Sequence, residues 1–460
     1  MRQSYSARFS LRQIAAVILA VTAAAFAQTP SKKPSATGHT IEPLPKLLSL
    51  REQTAVREQW LKKRLDTLLL PMMRRHGVSM WIVTTEEFHP DTIAEYIAPP
   101  IPYVGRRDFF IFADRGTDKL ERFALVRYPE EHLKYHFEVL NPPGNQIAAT
   151  LRKLVEERQP KTIALNMGGT RGATNGLTHD AHKYLTETLG EELAKRFTSA
   201  AALITEYQDT RLPEELEHYR TAVAVTDILT QRAFSNEVIT PGKTTVGDVR
   251  WWLLQQVNNL GLSVWFQPDL RVQRQNRDTG KTQQFLSVAD EAVVLERGDC
   301  IHVDFGLNYM GLSTDWQKHA YLLKPGEKDA PEGLKRALAN TNRLQDFIFK
   351  HARAGMSGSE VYEATMADCK REGIEAMIYS HSVGTQGHAL GAGIDFRRPG
   401  SGPRELMRLG SYTSIELNTT TPVAEWGGQK VTIMGEDDAV MTEQGFQWFR
   451  PRQTQFYLIK

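Results

Sequence analysis

Hydrophobic spacing assigns most elements of this chain, and in one stretch the polar positions between the apolar ones stand out. Ile301, Val303 and Phe305 alternate with His302 and Asp304, the period of a half-buried strand. Residues 308–311, Asn-Tyr-Met-Gly, supply a turn, and a second strand runs on through Ser313 and Asp315. With the hairpin symmetric about Tyr309 and Met310, Asp304 and Asp315 stand opposite each other on one face. Cross-strand Cβ atoms lie about 4.5–5.5 Å apart, and like charges there destabilise a sheet. Either solvent tolerates that repulsion, or a cation sits between the carboxylates, whose hard oxygens suit Mg, Mn, Zn or a similar divalent ion.

Earlier in the chain, Trp60, Leu61, Leu65, Leu68, Leu69 and Met72 form one helical face, which Pro71 should kink or shorten. Strand-like runs follow at 80–83, 109–112, 123–126 and 162–165, with a helical segment over 146–158. Strands and helices mixed over residues 51–207 make a smaller α/β domain. A boundary falls near Gln208–Pro213, and Leu216, Tyr219, Ala222 and Val223 give the next helix its apolar face. Leu334, Leu338, Thr341 and Ile348 mark another helix, and Ser357-x-x-Glu360 caps one that Gly373 ends. Residues 208–460 therefore read as helices plus antiparallel hairpins, and the class as α+β.

The first 27 residues carry Arg2, Arg8 and Arg12 ahead of an apolar run from Ile14 to Phe26, too short to span a bilayer comfortably. Ala25-Phe26-Ala27 suits a signal peptidase, so cleavage before Gln28 is expected. A flexible leader then runs over 28–50, and the mature protein is secreted or periplasmic without stable membrane insertion. The chain has 460 residues with 41% hydrophobic content, enough for two domains. Lys+Arg of 56 against Asp+Glu of 54 leaves no electrostatic case for nucleic acid. Two cysteines, Cys300 and Cys369, exclude a disulfide scaffold. The Gly168–Gly176 stretch lacks the spacing of a phosphate-binding loop and reads as a plain loop. Asp304-Phe305-Gly306 resembles a kinase signature, but no glycine-rich or catalytic-loop pattern precedes it. Asn418 nominally begins a glycosylation acceptor, in a strand expected to be buried.

Three further candidates follow the Asp pair. Residues 381–388 run His-Ser-Val-Gly-Thr-Gln-Gly-His, two histidines with glycines that let backbone approach closely. Glu416 lies in a short strand, and Glu436 begins a Glu-Asp-Asp-x-x-x-Thr-Glu-x-Gly ending. In that order Asp304, Asp315, His381, Glu416 and Glu436 resemble the five metal ligands of the pita-bread metallopeptidases. That family includes aminopeptidase P, prolidase, methionine aminopeptidase and the metal-free creatinase. The resemblance covers residues 208–460 by motif, and more loosely the preceding domain, which looks like the creatinase/prolidase N-terminal domain.

The resemblance implies a pita-bread catalytic domain holding two divalent ions, manganese first, with cobalt or zinc as alternatives. It implies that Asp304 holds one ion and His381 and Glu416 the other, with Asp315 and Glu436 bridging. Glu416 would also act as general base, and His388 would lie outside the metals, binding substrate or the developing oxyanion. Two departures accompany it. The family's histidine upstream of the first Asp is absent from 272–297, where Gln273, Arg274, Gln283 and Gln284 are the polar residues on offer. Met434 stands where the family carries Arg, two residues before the last Glu. The expected function is hydrolysis of short peptides, at bonds involving proline, by an enzyme whose relatives are often homodimers. The altered surroundings leave a non-peptide C–N hydrolysis or lyase reaction as the alternative, ahead of a non-catalytic binding role.

Overall fold

A computed structural model describes residues 41–100, 105–278, 280–282, 285–395 and 405–460. The expected export signal, the leader up to residue 40, and Gln283 and Gln284 lie outside the described residues. Helix α1 (Leu50–Lys63) starts at a capping box in which Ser49 and Glu52 satisfy each other's backbone N–H groups. The helical path does not stop at Pro71. A π-helical turn over Arg64–Leu68 opens the hydrogen-bond ladder just ahead of the proline, and α2 (Leu69–Arg75) continues through it.

The first unit continues with β1 (Met80–Glu86), α3 (Ala94–Ile97), β2 (Arg107–Asp114), β3 (Leu120–Leu125) and β4 (Glu138–Leu140). Then come α4 (Ile147–Arg158), β5 (Ile163–Leu165), α5 (His179–Leu189), α6 (Glu191–Ala194), β6 (Phe197–Ser199) and α7 (Ala201–Asp209). The strands form one mixed sheet ordered β4-β3-β2-β1-β5-β6. Successive residues of β1 are buried because both faces are covered. Trp81 and Val83 pack with residues of α1, α2 and α7, while Met80 and Ile82 pack with those of α4 and α5. The strand-like runs near 80, 109, 123 and 162 all lie in strands of this sheet, and the α/β class matches.

The second unit opens with α8 (Glu215–Ala233), α9 (Val246–Asn259), β7 (Ser263–Val264), β8 (Asp269–Gln273), β9 (Lys281–Thr282) and β10 (Phe285–Leu286). It continues through β11 (Cys300–Asp304), β12 (Leu307–Tyr309), β13 (Leu312–Ser313) and β14 (Gln317–Leu322). Helices α10 (Glu332–His351) and α11 (Gly358–Glu372) follow, the latter capped by Ser357 and Glu360 and ended by Gly373 in the left-handed region, as expected. The remaining strands are β15 (Glu375–Ser382), β16 (Ile394–Asp395), β17 (Tyr412–Ser414), β18 (Leu417–Val423), β19 (Gln429–Gly435), β20 (Asp438–Thr442), β21 (Gly445–Trp448) and β22 (Tyr457–Ile459). One sheet runs β22-β14-β11-β8 and a larger one β19-β18-β15-β17-β20-β21, with β16 on β15.

Two register facts position the acids. In the hairpin, Asn308 pairs with Ser313 and Tyr309 with Leu312, so the turn is Met310–Gly311, both at positive φ (57° and 75°). That is the signature of a two-residue primed turn. It moves the hairpin's centre by one position, so Asp304 pairs with Gln317 rather than standing opposite Asp315. Asp304 is instead opposed by Asp269 of β8, and a second acidic pair faces across the larger sheet. Ser414 pairs with Asp438, and Leu417 with Gly435, at the same offset. Carried across the gap between β17 and β18, that offset sets Glu416 opposite Glu436.

Gly306 shows how tightly the hairpin is held. A Cβ there would lie 2.2 Å from the Trp265 indole nitrogen and 2.3 Å from the Thr314 carbonyl oxygen. Gly306→Ala should therefore cost about 1–3 kcal/mol by overpacking, read by denaturant unfolding. An unchanged midpoint would mean that Trp265 moves away freely.

Candidate metal centre

The candidate ligands all sit where strands stop or break, because a side chain there is aimed by two sheets at once. Asp304 ends β11, Asp315 lies between β13 and β14, and His381 is the penultimate residue of β15. Glu416 and Glu436 occupy the gaps between β17 and β18 and between β19 and β20. Glu416 thus lies at a break rather than inside a strand. Donor atoms of Asp304, Asp315 and Glu436 all lie within 4.8 Å of one another, and so do those of His381, Glu416 and Glu436. Glu436 is the residue shared by the two groups.

His388 was expected outside this cluster, yet one of its donor atoms lies within 4.8 Å of those of Asp315 and His381. Its ring meets His381 edge-on at 4.4 Å. The geometry brings it within ligand range. Gly387 is required for this approach, since a Cβ there would lie 2.0 Å from the Trp265 ring.

The donor set fits divalent cations. Asp304 Oδ1, Asp315 Oδ1, Glu436 Oε2 and His381 Nε2 are buried and have no hydrogen-bond partner. His381 Nε2 stands 3.6, 3.5 and 3.8 Å from Asp315, Glu416 and Glu436, too far for hydrogen bonds and suited to an atom in between. Hard carboxylate oxygens with one imidazole match Mn, Co or Zn better than a soft metal.

Neighbouring side chains fix these ligands in place. Gln317 Nε2 donates to Glu416 Oε1 at 2.6 Å, and Gln317 Oε1 accepts from His302 Nε2 at 2.8 Å. The carboxylate sets the amide's orientation, and the amide sets the tautomer of His302, with its proton on Nε2. Burial and the adjacent His319 push His302 well below its ordinary pKa, so it stays neutral. The Ser414 hydroxyl donates to Glu436 Oε1. Buried Lys318 binds the Glu436 carbonyl at 2.8 Å and the Asp437 carboxylate at 2.7 Å, and its ammonium lies over the Trp316 ring. Period-two alternation flagged His302 as a polar strand position, but only the hairpin register reveals its link to Glu416.

The first unit also reaches the cluster. Arg171 donates to the carbonyls of His388 and Ala389 at 2.6 and 3.0 Å, and the Tyr96 hydroxyl donates to the Thr385 carbonyl. The glycine-rich loop of 168–176 is therefore a brace on the segment that carries His388. Nothing in its spacing announces that contact. Trp265 was likewise missed. Its indole N–H donates to the Thr314 carbonyl at 2.9 Å while its ring packs edge-on to His388 and against Phe266. Gln273 and Arg274 turn away, onto the Thr432 backbone and the Asp299 carboxylate. Asn418 is buried, donating to the Tyr379 hydroxyl, and Cys300 and Cys369 are buried free thiols.

Comparison with known proteins gives this geometry a context. A model of metallopeptidase family M24 matches residues 217–443. An uncharacterized peptidase, YqhT of Bacillus subtilis, is 28% identical over 155 residues, 33% of this chain and 39% of that relative's length. Among solved structures, an X-Pro aminopeptidase from Thermotoga maritima aligns with a TM-score of 0.64 at 18% identity, over 84% of this chain and 99% of its own. A Xaa-Pro dipeptidase from Bacillus anthracis aligns with a TM-score of 0.59 at 17% identity, over 88% and 100%. The structural likenesses show the fold, and they extend across both units.

Without cations the cluster is electrostatically unfavourable. Burial raises the pKa of Glu436 well above the carboxylate range, and Asp315, Glu416 and Asp304 add to it. Asp315 is raised by burial and then by Asp304 and Glu416. Burial lifts Asp438 to about 8, although the Tyr219 hydroxyl and the Asp315 N–H favour its charged form. A raised carboxyl pKa means that the folded chain holds more protons than the unfolded one between about pH 4 and 8, so stability falls as pH rises through that window. The metal-free protein should show a lower thermal midpoint at pH 8 than at pH 5, and added Mn should raise it more at pH 8. A metal-free midpoint that climbs across this range would contradict the electrostatics.

Proposed function

Since residues 217–443 place this chain in metallopeptidase family M24, we propose that it hydrolyses short peptides at bonds involving proline. Its cations are a pair, manganese first, with cobalt or zinc as alternatives. Residues 1–27 export it to the periplasm or the medium. Among the described residues no helix is long and apolar enough to cross a membrane. The observation that carries the reading is the convergence of unpartnered donor atoms from Asp304, Asp315, His381 and Glu436, with Glu416 completing the set. The names of the two aligned structures, an X-Pro aminopeptidase and a Xaa-Pro dipeptidase, support the proline preference.

Held by these five residues, two divalent ions would supply a water of lowered pKa and positive charge for an oxygen becoming negative. The chain's own groups do the rest. Glu416 takes the proton of the attacking water. Its Oε1 is tied to Gln317, so Oε2, on the His381 side, is the oxygen presented to the reaction. His388 donates to the carbonyl oxygen as charge develops there. Trp265 and Phe266, both partly exposed, offer an apolar wall beside His388 that suits a pyrrolidine ring. A second reading, hydrolysis of a non-peptide C–N bond, is favoured by Met434 at the family's Arg position.

A panel of Xaa-Pro and other dipeptides and tripeptides, with Mn added back, tests both. Metal-dependent turnover abolished by Glu416→Gln is expected. His388→Ala should lower turnover about a hundredfold, as for loss of one oxyanion donor, with bound metal unchanged. A loss of metal in that variant would make His388 a ligand. Fully metallated protein inert on every peptide would overturn the peptidase reading in favour of the second.

A further inference from the structure

Residue 434 belongs to a strand whose side chains interleave with those of β8. Gln273 donates to the Thr432 carbonyl at 2.7 Å and accepts from the Thr432 N–H at 2.9 Å. Two residues back along β8 and two forward along β19, Arg271 Nη1 lies 3.6 Å from the Met434 sulfur. Positions 271 and 434 therefore stand at one level between the two sheets, and a long side chain from either enters the same space.

That space adjoins the metal centre. Strand β8 pairs with β11 so that Asp269 stands beside Asp304 and Arg271 beside His302, all on the face that carries Asp304. Arg271 Nη2 holds Asp269 at 2.5 Å, while its Nε is buried and unpartnered. Arg271, always charged, therefore stands diagonally across from Asp304 on the same face, bound to Asp269, the residue directly opposite Asp304.

We propose that Arg271 is a positioning residue of the metal centre, supplying from β8 the guanidinium that residue 434 of β19 lacks and holding Asp304 towards the cations. The proposal rests on the cluster being a metal site. The guanidinium suits this task because its charge is permanent and its rigid planar fork presents several donors in fixed directions.

The test is a strand exchange, read first by metal binding. Mn affinity, measured by chelator competition on folded protein, should weaken roughly 10–100-fold in Arg271→Met, the usual effect of removing an outer partner of a ligand. The double variant Arg271→Met/Met434→Arg should recover most of that affinity, because the guanidinium returns from the other strand. Turnover on any accepted peptide should follow the same order. Two results would overturn the proposal: Mn affinity unchanged in Arg271→Met, or a folded exchange variant that binds no better than the single one. Asp269→Asn/Arg271→Met separates a merely structural role. Wild-type Mn affinity in that pair would mean that Arg271 serves only to neutralise Asp269, whereas continued weak binding supports its action on Asp304. Failure of the peptidase reading would appear differently, as normal metal binding and rescue without peptide turnover.

Discussion

Glu416 and Glu436 face each other across two strands, and Asp315 and Asp304 crowd the same space from a second sheet. Like charges in that relation destabilise a sheet, and burying them unpaired costs more still. Much of the surrounding structure serves that one constraint. Ser414 holds one oxygen of Glu436, Lys318 pins its backbone, and Gln317 ties down Glu416 with neutral His302 behind it. These neighbours fix the carboxylates in place without neutralising them. Cations of matching charge would balance the cluster.

The first unit is coupled to that centre by contact. Arg171 and Tyr96 grip the backbone between Thr385 and Ala389 from one side, while Trp265 wedges against Gly387 from the other. The histidine-bearing loop is thus clamped between the α/β unit and the hairpin region. Holding it in place matters, because a misplacement of about 1 Å can cost roughly a hundredfold in rate.

Much of this was legible in the residues themselves. The Ser357–Glu360 box and Gly373 mark their helix, the alternation at 301–305 marks its strand, and the five candidate ligands appear in their family order. The hairpin register was not legible, because a symmetric turn and a primed turn at Met310–Gly311 differ by one position, and Gly311's left-handed backbone decides between them. That slip replaces the expected Asp304–Asp315 pair with Asp304–Gln317. Pro71 was expected to kink or shorten its helix, but a π turn accommodates it, a solution that local spacing does not encode. Arg171 and Trp265 escaped notice because each meets the His388 segment from more than 100 residues away in sequence.

Whether these acids hold a pair of cations can be read from anomalous scattering by crystals of the Mn-loaded protein. Two peaks roughly 3.5–4 Å apart are expected, the spacing of two-metal hydrolases. One should lie among Asp304, Asp315 and Glu436, the other among His381, Glu416 and Glu436. A fully loaded crystal with no anomalous density among these residues would contradict this expectation.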